Sequence, residues 1–251
     1  MGAKYTHTRI VLSSRCSRAI HSVGVELFSL TRQCRDVAFP WVERARVHAV
    51  LADPHRLAVL HHVALGDRSP RDLAELLGLS MPLLSHHLNA LTEAGLIIRT
   101  TSEQDRRKRF VSLDVRADGF LDRRWLRAQL PTTPSRVVFA CTHNSARSVL
   151  ASALWTQRTN GVSSAGGTDP AGRIHPGTRR IAKKHGLRLL QQRPEELPRE
   201  LGDGDLLITV CDAADARVPE HPYRLHWSIR DPAHDRDPAA FERVFSTLTE
   251  R

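Results

Sequence analysis

From Trp41 onward the apolar positions recur at helical spacing and are punctuated by capping residues. Val42, Ala45, Val47, Val50 and Leu51 predict one amphipathic helix, ended by Asp53-Pro54. Pro54 suits the first turn of the next helix, in which Leu57, Val59, Leu60 and Val63 supply apolar groups and Gly66-Asp67 close the run. Ser69-Pro70 pairs a cap with a first-turn proline ahead of a short helix, Arg71 to Leu77, that stops at Gly78. Ser80 is expected to cap a further helix. There Leu84, Leu88 and Leu91 form the inner face, while Met81, Pro82, Ser85, His86 and Asn89 fall outward. Helix, glycine turn and helix make a helix-turn-helix plan, whose second helix presents side chains to a major groove. After Gly95 the pattern changes. Leu96 to Thr100, a polar Ser102–Asp105 turn and the run Arg106 to Val111 predict a β-hairpin with a basic tip, a wing. Val115 to Leu130 is expected to be one more helix, with Phe120, Leu121, Trp125 and Leu126 on one side.

Pro131-Thr132-Thr133-Pro134-Ser135 is composed as a short stiff linker. Beyond it, Val137 to Ala140 predicts a buried strand, and Val149, Leu150, Ala153 and Leu154 a helix. Gly161 to Ala165 suggests a second strand followed by a Ser164–Gly167 turn, and His175 to His185 a basic amphipathic helix. Asp205 to Val210 has the apolar run of a buried parallel strand. Tyr223 to Trp227 suggests an extended piece, and Phe241 to Leu248 a closing helix. Strands alternating with helices argue for an α/β fold with a small parallel sheet. The expected organisation is therefore two domains: a mainly α winged helix-turn-helix over 41–130 and an α/β domain over 136–251, joined by a linker at 131–135. Residues 1–40 have weak periodicity and the composition of a loosely ordered extension.

Composition adds a partner class and a compartment. A net charge of +10 and a pI near 10.4 favour a polyanion. Cys16, Cys34, Cys141 and Cys211 are unevenly placed and make no disulfide framework. The chain has no apolar stretch near the roughly eighteen residues of a membrane span. Val23 to Leu30 is interrupted by Glu26, so no secretory signal is read. A cytoplasmic, reducing location is expected, which suits catalytic thiols.

The chemistry concentrates at Arg136–Ser148, R-V-V-F-A-C-T-H-N-S-A-R-S. Strand, tight loop and helix N-terminus meet at Cys141, so the peptide N–H groups from Thr142 through His143, Asn144, Ser145 and Ala146 to Arg147 can face inward. That environment is expected to lower the Cys141 thiol pKa and leave a thiolate. Arg147 offers a planar fork to a tetrahedral oxyanion. Asp231 stands in an Asp-Pro, which by itself reads as a turn, and Cys211 stands at a strand end, where open α/β sheets place their sites. The histidine pairs His61-His62 and His86-His87 are read as no metal site, because adjacent residues on a helix do not share one ligand sphere.

This loop, with W-S-I-R-D-P-A-H downstream, resembles the low-molecular-weight phosphatase family and its arsenate reductase branch, over about Ser135 to Arg251. The resemblance implies that Asn144 braces the loop, Ser148 hydrogen-bonds the Cys141 sulfur and Asp231 serves as the acid. It implies reduction of arsenate to arsenite through a Cys141 adduct, with no bound cofactor. In T-V-C-D-A-A-D-A-R-V-P, Cys211 matches the resolving cysteine, although an inert core cysteine is the competing reading. Thioredoxin-linked members carry another cysteine seven residues later, where this chain has Val218. The reductant is therefore left open among thioredoxin, a glutaredoxin-like protein and a small thiol. A tyrosine phosphatase and a non-catalytic oxyanion or arsenite sensor are the alternatives.

L-A-D-P-H-R-L, L-S-H-H-L and L-T-E-A-G-L-I are similar to segments of the arsenic-responsive winged-helix repressors, over Trp41 to Leu113. That resemblance implies a homodimer on palindromic operator DNA, with Ser85, His86 and Asn89 reading bases and Arg107 and Arg109 on phosphates. Many such repressors hold arsenite through a cysteine pair on the helix before the recognition helix, which here reads R-D-L-A-E-L-L. That departure leaves the inducer site open; separately, Cys16 and Cys34 are candidate soft ligands for arsenite because thiolates select soft ions. The expectation is a repressor fused to an arsenate reductase.

Overall fold

The structure, a computed structural model, describes residues 40–130 and 134–251. Cys16, Cys34 and most of the expected linker lie outside the described residues. The chain divides into two units, with the division between Ala45 and Arg46. Of the first, residues 40–45 are described, as the opening of helix α1 (Pro40–Leu51), where Val42 is exposed.

In the second unit Val47 is buried, and the helices follow their caps. Helix α2 (Pro54–Leu65) starts at Asp53, whose side chain accepts from the Arg56 N–H at 3.0 Å. Val59, Leu60 and Val63 are fully buried, whereas Leu57 is 38% exposed and does not join the core as expected. Helix α3 (Pro70–Leu77) opens with a reciprocal capping box between Ser69 and Asp72 and ends at Gly78 in the left-handed region, φ 64°. Helix α4 (Met81–Glu93) buries Leu84, Leu88 and Leu91. Each such leucine contributes about 1.5–3 kcal/mol over the exposed side chain. Ser80 precedes α4 without a side-chain cap bond, so Pro82 in the first turn is the start signal that remains. Strands β1 (Ile97–Thr101) and β2 (Arg109–Leu113) pair antiparallel, Ile97 opposite Leu113, and make the wing.

The single helix expected over Val115 to Leu130 is broken. A 3-10 turn (Val115–Phe120) is followed, after Leu121, by a short helix α5 (Arg123–Ala128). The cause is local: Asp114 and Asp122 each cap a separate start, with Asp122 accepting from the Arg124 N–H at 2.9 Å. The Asp122 N–H in turn donates to His61 Nε2 at 2.8 Å, which uses one member of the first histidine pair structurally.

The α/β part carries a four-stranded, all-parallel sheet in the order β4-β3-β5-β6, built from β3 (Arg136–Cys141), β4 (Ser163–Gly167), β5 (Asp205–Thr209) and β6 (Arg224–His226). Helices α6 (Arg147–Thr159), α7 (Pro176–Lys184), α8 (Asp212–Asp215) and α9 (Ala240–Glu250) complete it. One core, including Phe139, Leu150, Ile181, Ile208 and Phe241, fills one face of the sheet; Val138, Ala140, Leu207 and Val218 fill the other. β4 runs through Gly166 and Gly167, which were expected to turn. A side chain on Gly167 would meet the Thr142 carbonyl oxygen at 2.7 Å, so the strand needs glycine where it passes the cysteine loop. The order reverses between β3 and β5, and Cys141 and Cys211 stand at the carboxyl ends of that pair, the switch point of the sheet.

The helical and α/β parts touch within the second unit. The Asp67 N–H donates to the His226 carbonyl at 2.7 Å, and Asp67 Oδ2 accepts from the Ser228 N–H at 2.7 Å and from Arg251 at 2.9 Å.

Candidate functional site

Four carbonyls orient the loop after β3. Those of Cys141, Thr142, His143 and Ser145 accept from the N–H groups of Thr168, Asp169, Ala171 and His175 at 3.1, 2.9, 3.0 and 3.0 Å. In a trans peptide the following N–H points the opposite way, so the amides of Thr142, His143, Asn144 and Ala146 turn inward. One of these is directly visible: the Asn144 N–H donates to Cys141 Sγ at 3.2 Å. Thr178 Oγ1 holds the Ser145 carbonyl from the other side at 2.8 Å.

Asn144 is the brace. It takes a left-handed φ of 45°, and its Nδ2 donates to Ser148 Oγ at 2.9 Å. Its Oδ1 accepts from the Glu195 N–H at 2.8 Å and from the Gln191 side chain. Ser148 Oγ lies 3.0 Å from Cys141 Sγ. Gln191 and Glu195 carry no motif, and nothing in the spacing of the chain marks them as partners of the loop.

The expected depression of the Cys141 thiol is not found. Cys141 is 2% exposed, and burial pushes its thiol up; Arg147 and Ser148 pull it down without overcoming that, and the neighbouring Cys211 adds to the rise. A motif displays the donors around a sulfur, but not the water that its fold removes. Arg147, itself buried, donates to the Ile229 carbonyl at 2.9 Å and to Asp231 Oδ2 at 2.6 Å. Asp231 is thus brought to the loop by Arg147 rather than by contact with the sulfur.

Cys211 is buried at the start of α8, where its Sγ accepts from the Ala214 N–H at 3.4 Å and lies 3.4 Å from Thr142 Oγ1. Cys141 and Cys211 are both free thiols. Val218 is packed against Val138, Ala140 and Leu207, so the position after α8 is filled by hydrocarbon. A cleft of about 2050 Å³ is lined by Thr142, His143, Arg147, Cys211 and Asp231 on one side and by wing residues on the other. From the wing, Glu103 Oε2 accepts from the Asp231 N–H at 2.7 Å.

Ser85, His86, Asn89, Arg107 and Arg109 are all exposed, on α4 and at the wing. Asn89 Oδ1 accepts from Arg99 Nη2 at 2.9 Å. Burial and then the charge of Arg109 push the Arg99 guanidinium below its ordinary value, so Arg99 belongs to the same basic ridge. Its position inside an apolar strand pattern hides it in the sequence. His87, unlike His86, is turned into the core.

Residues 53–99 match the bacterial regulatory proteins of the arsR family, and residues 136–251 match the low molecular weight phosphotyrosine protein phosphatases. The chain is 34% identical over 116 residues to an arsenate reductase of Brevibacillus brevis, covering 43% of this chain and 84% of that protein. It is 32% identical over 127 residues to an arsenate reductase of Bacillus cereus, covering 46% and 89%. Among solved structures, an arsenate reductase from Archaeoglobus fulgidus aligns with 30% identity and a TM-score of 0.42, covering 46% of this chain and 94% of its own. Over its C-terminal half the chain belongs to the arsenate reductase family built on the low-molecular-weight phosphatase fold, and ahead of that half it carries an arsR-family helix-turn-helix.

Proposed function

We propose that the chain is an arsenic-responsive repressor fused to a thiol-dependent arsenate reductase. The observation that carries the reductase reading is the second free thiol, Cys211, at the neighbouring strand end beside Thr142 of the Cys141 loop. Reduction by two electrons needs two sulfurs, whereas phosphate ester hydrolysis needs one.

In this reading the inward amides of the loop and Arg147 bind arsenate. The Asn144 N–H and the Ser148 hydroxyl stabilise negative charge on Cys141 Sγ. The sulfur adds to arsenic as an arsenate oxygen leaves: the dihydrogen arsenate anion and the Cys141 thiol give a thiol–arsenic adduct and water, with Asp231 delivering the proton. The Cys211 thiol then attacks the Cys141 sulfur. The sulfur–arsenic bond breaks, its electron pair stays on arsenic, and the arsenite anion departs with the Cys211 proton as the two sulfurs form a disulfide. Arsenic is thereby reduced from five to three and the two thiols are oxidised. An external thiol or a redoxin restores both thiols. The helix-turn-helix and wing of a homodimer would bind operator DNA through Ser85, His86, Asn89, Arg107 and Arg109, and arsenite would relieve repression.

The test supplies purified chain and arsenate with thioredoxin, glutaredoxin or a small-thiol system, and scores arsenite. Turnover with at least one donor, abolished in Cys141→Ser, is expected. Hydrolysis of an aryl phosphate without arsenite formation would favour a phosphatase, and oxyanion binding without either reaction would favour a sensor.

A further inference from the structure

His87 lies on α4 but faces away from the proposed base readers. It is 5% exposed, and neither of its ring nitrogens has a hydrogen-bond partner. A buried imidazole without partners costs free energy unless something binds it. Its Nδ1 points at Asp53, 3.6 Å from Oδ1, and His55 Nδ1 lies 3.9 Å from the same oxygen. One ligand atom from each of Asp53, His55 and His87 falls within 4.8 Å of the others. Two ligands held about 2.0–2.1 Å from a tetrahedral zinc stand roughly 3.4 Å apart, so the cluster needs only small side-chain movements to close on an ion.

We propose that Asp53, His55 and His87 form a binding site for a zinc-class divalent cation, tying the start of α2 to the recognition helix. Two imidazoles and one carboxylate suit zinc, cobalt or nickel; the set has no thiolate for arsenic and too few oxygens for calcium or magnesium. Burial pushes the His87 imidazole below its ordinary value. Asp53 supplies the negative charge. Its Oδ1 already caps α2 through Arg56 N–H, leaving Oδ2 and a further lone pair for metal. Arg56 is the rival cation, its buried Nε 3.9 Å from Oδ1 and without a hydrogen-bond partner. Adjacent His86 and His87 do not share an ion, but the partners of His87 come from the start of another helix.

The experiment titrates cobalt(II) into the full chain with all four cysteines changed to serine, so that thiolates cannot contribute, and competes it with zinc. Binding is followed by ligand-field absorption. The unsubstituted chain is titrated in parallel for bands outside the thiolate charge-transfer region. One cobalt per chain is expected, displaced by zinc, with affinity falling at least about 30-fold in His55→Ala and in Asp53→Asn. Arg56→Gln should bind as tightly or more tightly. His55 is half-buried at a helix start, so its replacement spares the core, which His87→Ala would not. Absence of cobalt binding in both backgrounds, or binding unchanged by His55→Ala, would overturn the site.

Discussion

Arg147 joins the cysteine loop to the Asp231 segment through both terminal nitrogens, one on the Ile229 carbonyl at 2.9 Å and the other on Asp231 Oδ2 at 2.6 Å. A planar fork makes both bonds at once, which a point charge on a flexible stem does not. Arg147→Lys should therefore lower kcat/KM for arsenate by roughly 10²–10³-fold, the scale of losing an oxyanion donor. Steady-state arsenite production measures it, and a variant within about threefold of the parent would remove the fork from the mechanism.

Cys141 should alkylate slowly at neutral pH. Burial holds its thiol above the ordinary value of 9.0, so the folded protein keeps this proton to higher pH than the unfolded chain does. Its contribution to stability is complete below the ordinary thiol value and is lost as pH rises toward the folded value. Iodoacetamide inactivation should keep accelerating above the ordinary thiol value of 9.0, and Ser148→Ala should move the profile further up, because the serine pulls the thiol down. An inflection at neutral pH would contradict the geometry.

Asn144→Ala should destabilise the fold by about 2–4 kcal/mol, since it strips a partner from the buried Ser148 hydroxyl and from the Glu195 N–H and leaves alanine at positive φ. Urea unfolding measures it. A loss below about 0.5 kcal/mol, the range of an ordinary surface change, would show that Glu195 and Ser148 find other partners.

Arg107→Ala with Arg109→Ala should weaken operator binding and reduce the slope of log affinity against log salt by about 2, one for each phosphate contact. Fluorescence anisotropy across a salt series gives that slope. An unchanged slope would place both guanidinium groups away from the backbone of the duplex.

Much of the fold was legible because its signals are local. Ser69 and Pro70, Gly78, and the Leu84–Leu88–Leu91 spacing each act within a turn or two, and α3 and α4 form where they predict. The expected helix over Val115 to Leu130 shows the limit: its apolar positions have helical spacing, but Asp122 starts a second cap inside it, after the one that Asp114 makes at its edge. At the site, C-T-H-N-S-A-R-S located sulfur, amides and guanidinium. The direction of the thiol shift was not legible, since it depends on water excluded by Leu150, Ile208 and other residues distant in sequence. Gln191, Glu195 and the inward turn of His87 were hidden for the same reason: long-range partners leave no periodic trace.

The bond from Asp231 N–H to Glu103 has a thermodynamic corollary. A single carboxylate belongs both to the wing and to the segment holding the acid. If seating the wing on a duplex favours one placement of that carboxylate, then filling the anion loop must, by reciprocity, bias release or retention of the duplex by the same factor. Occupancy of the duplex and occupancy of the anion loop would then be linked through that one contact.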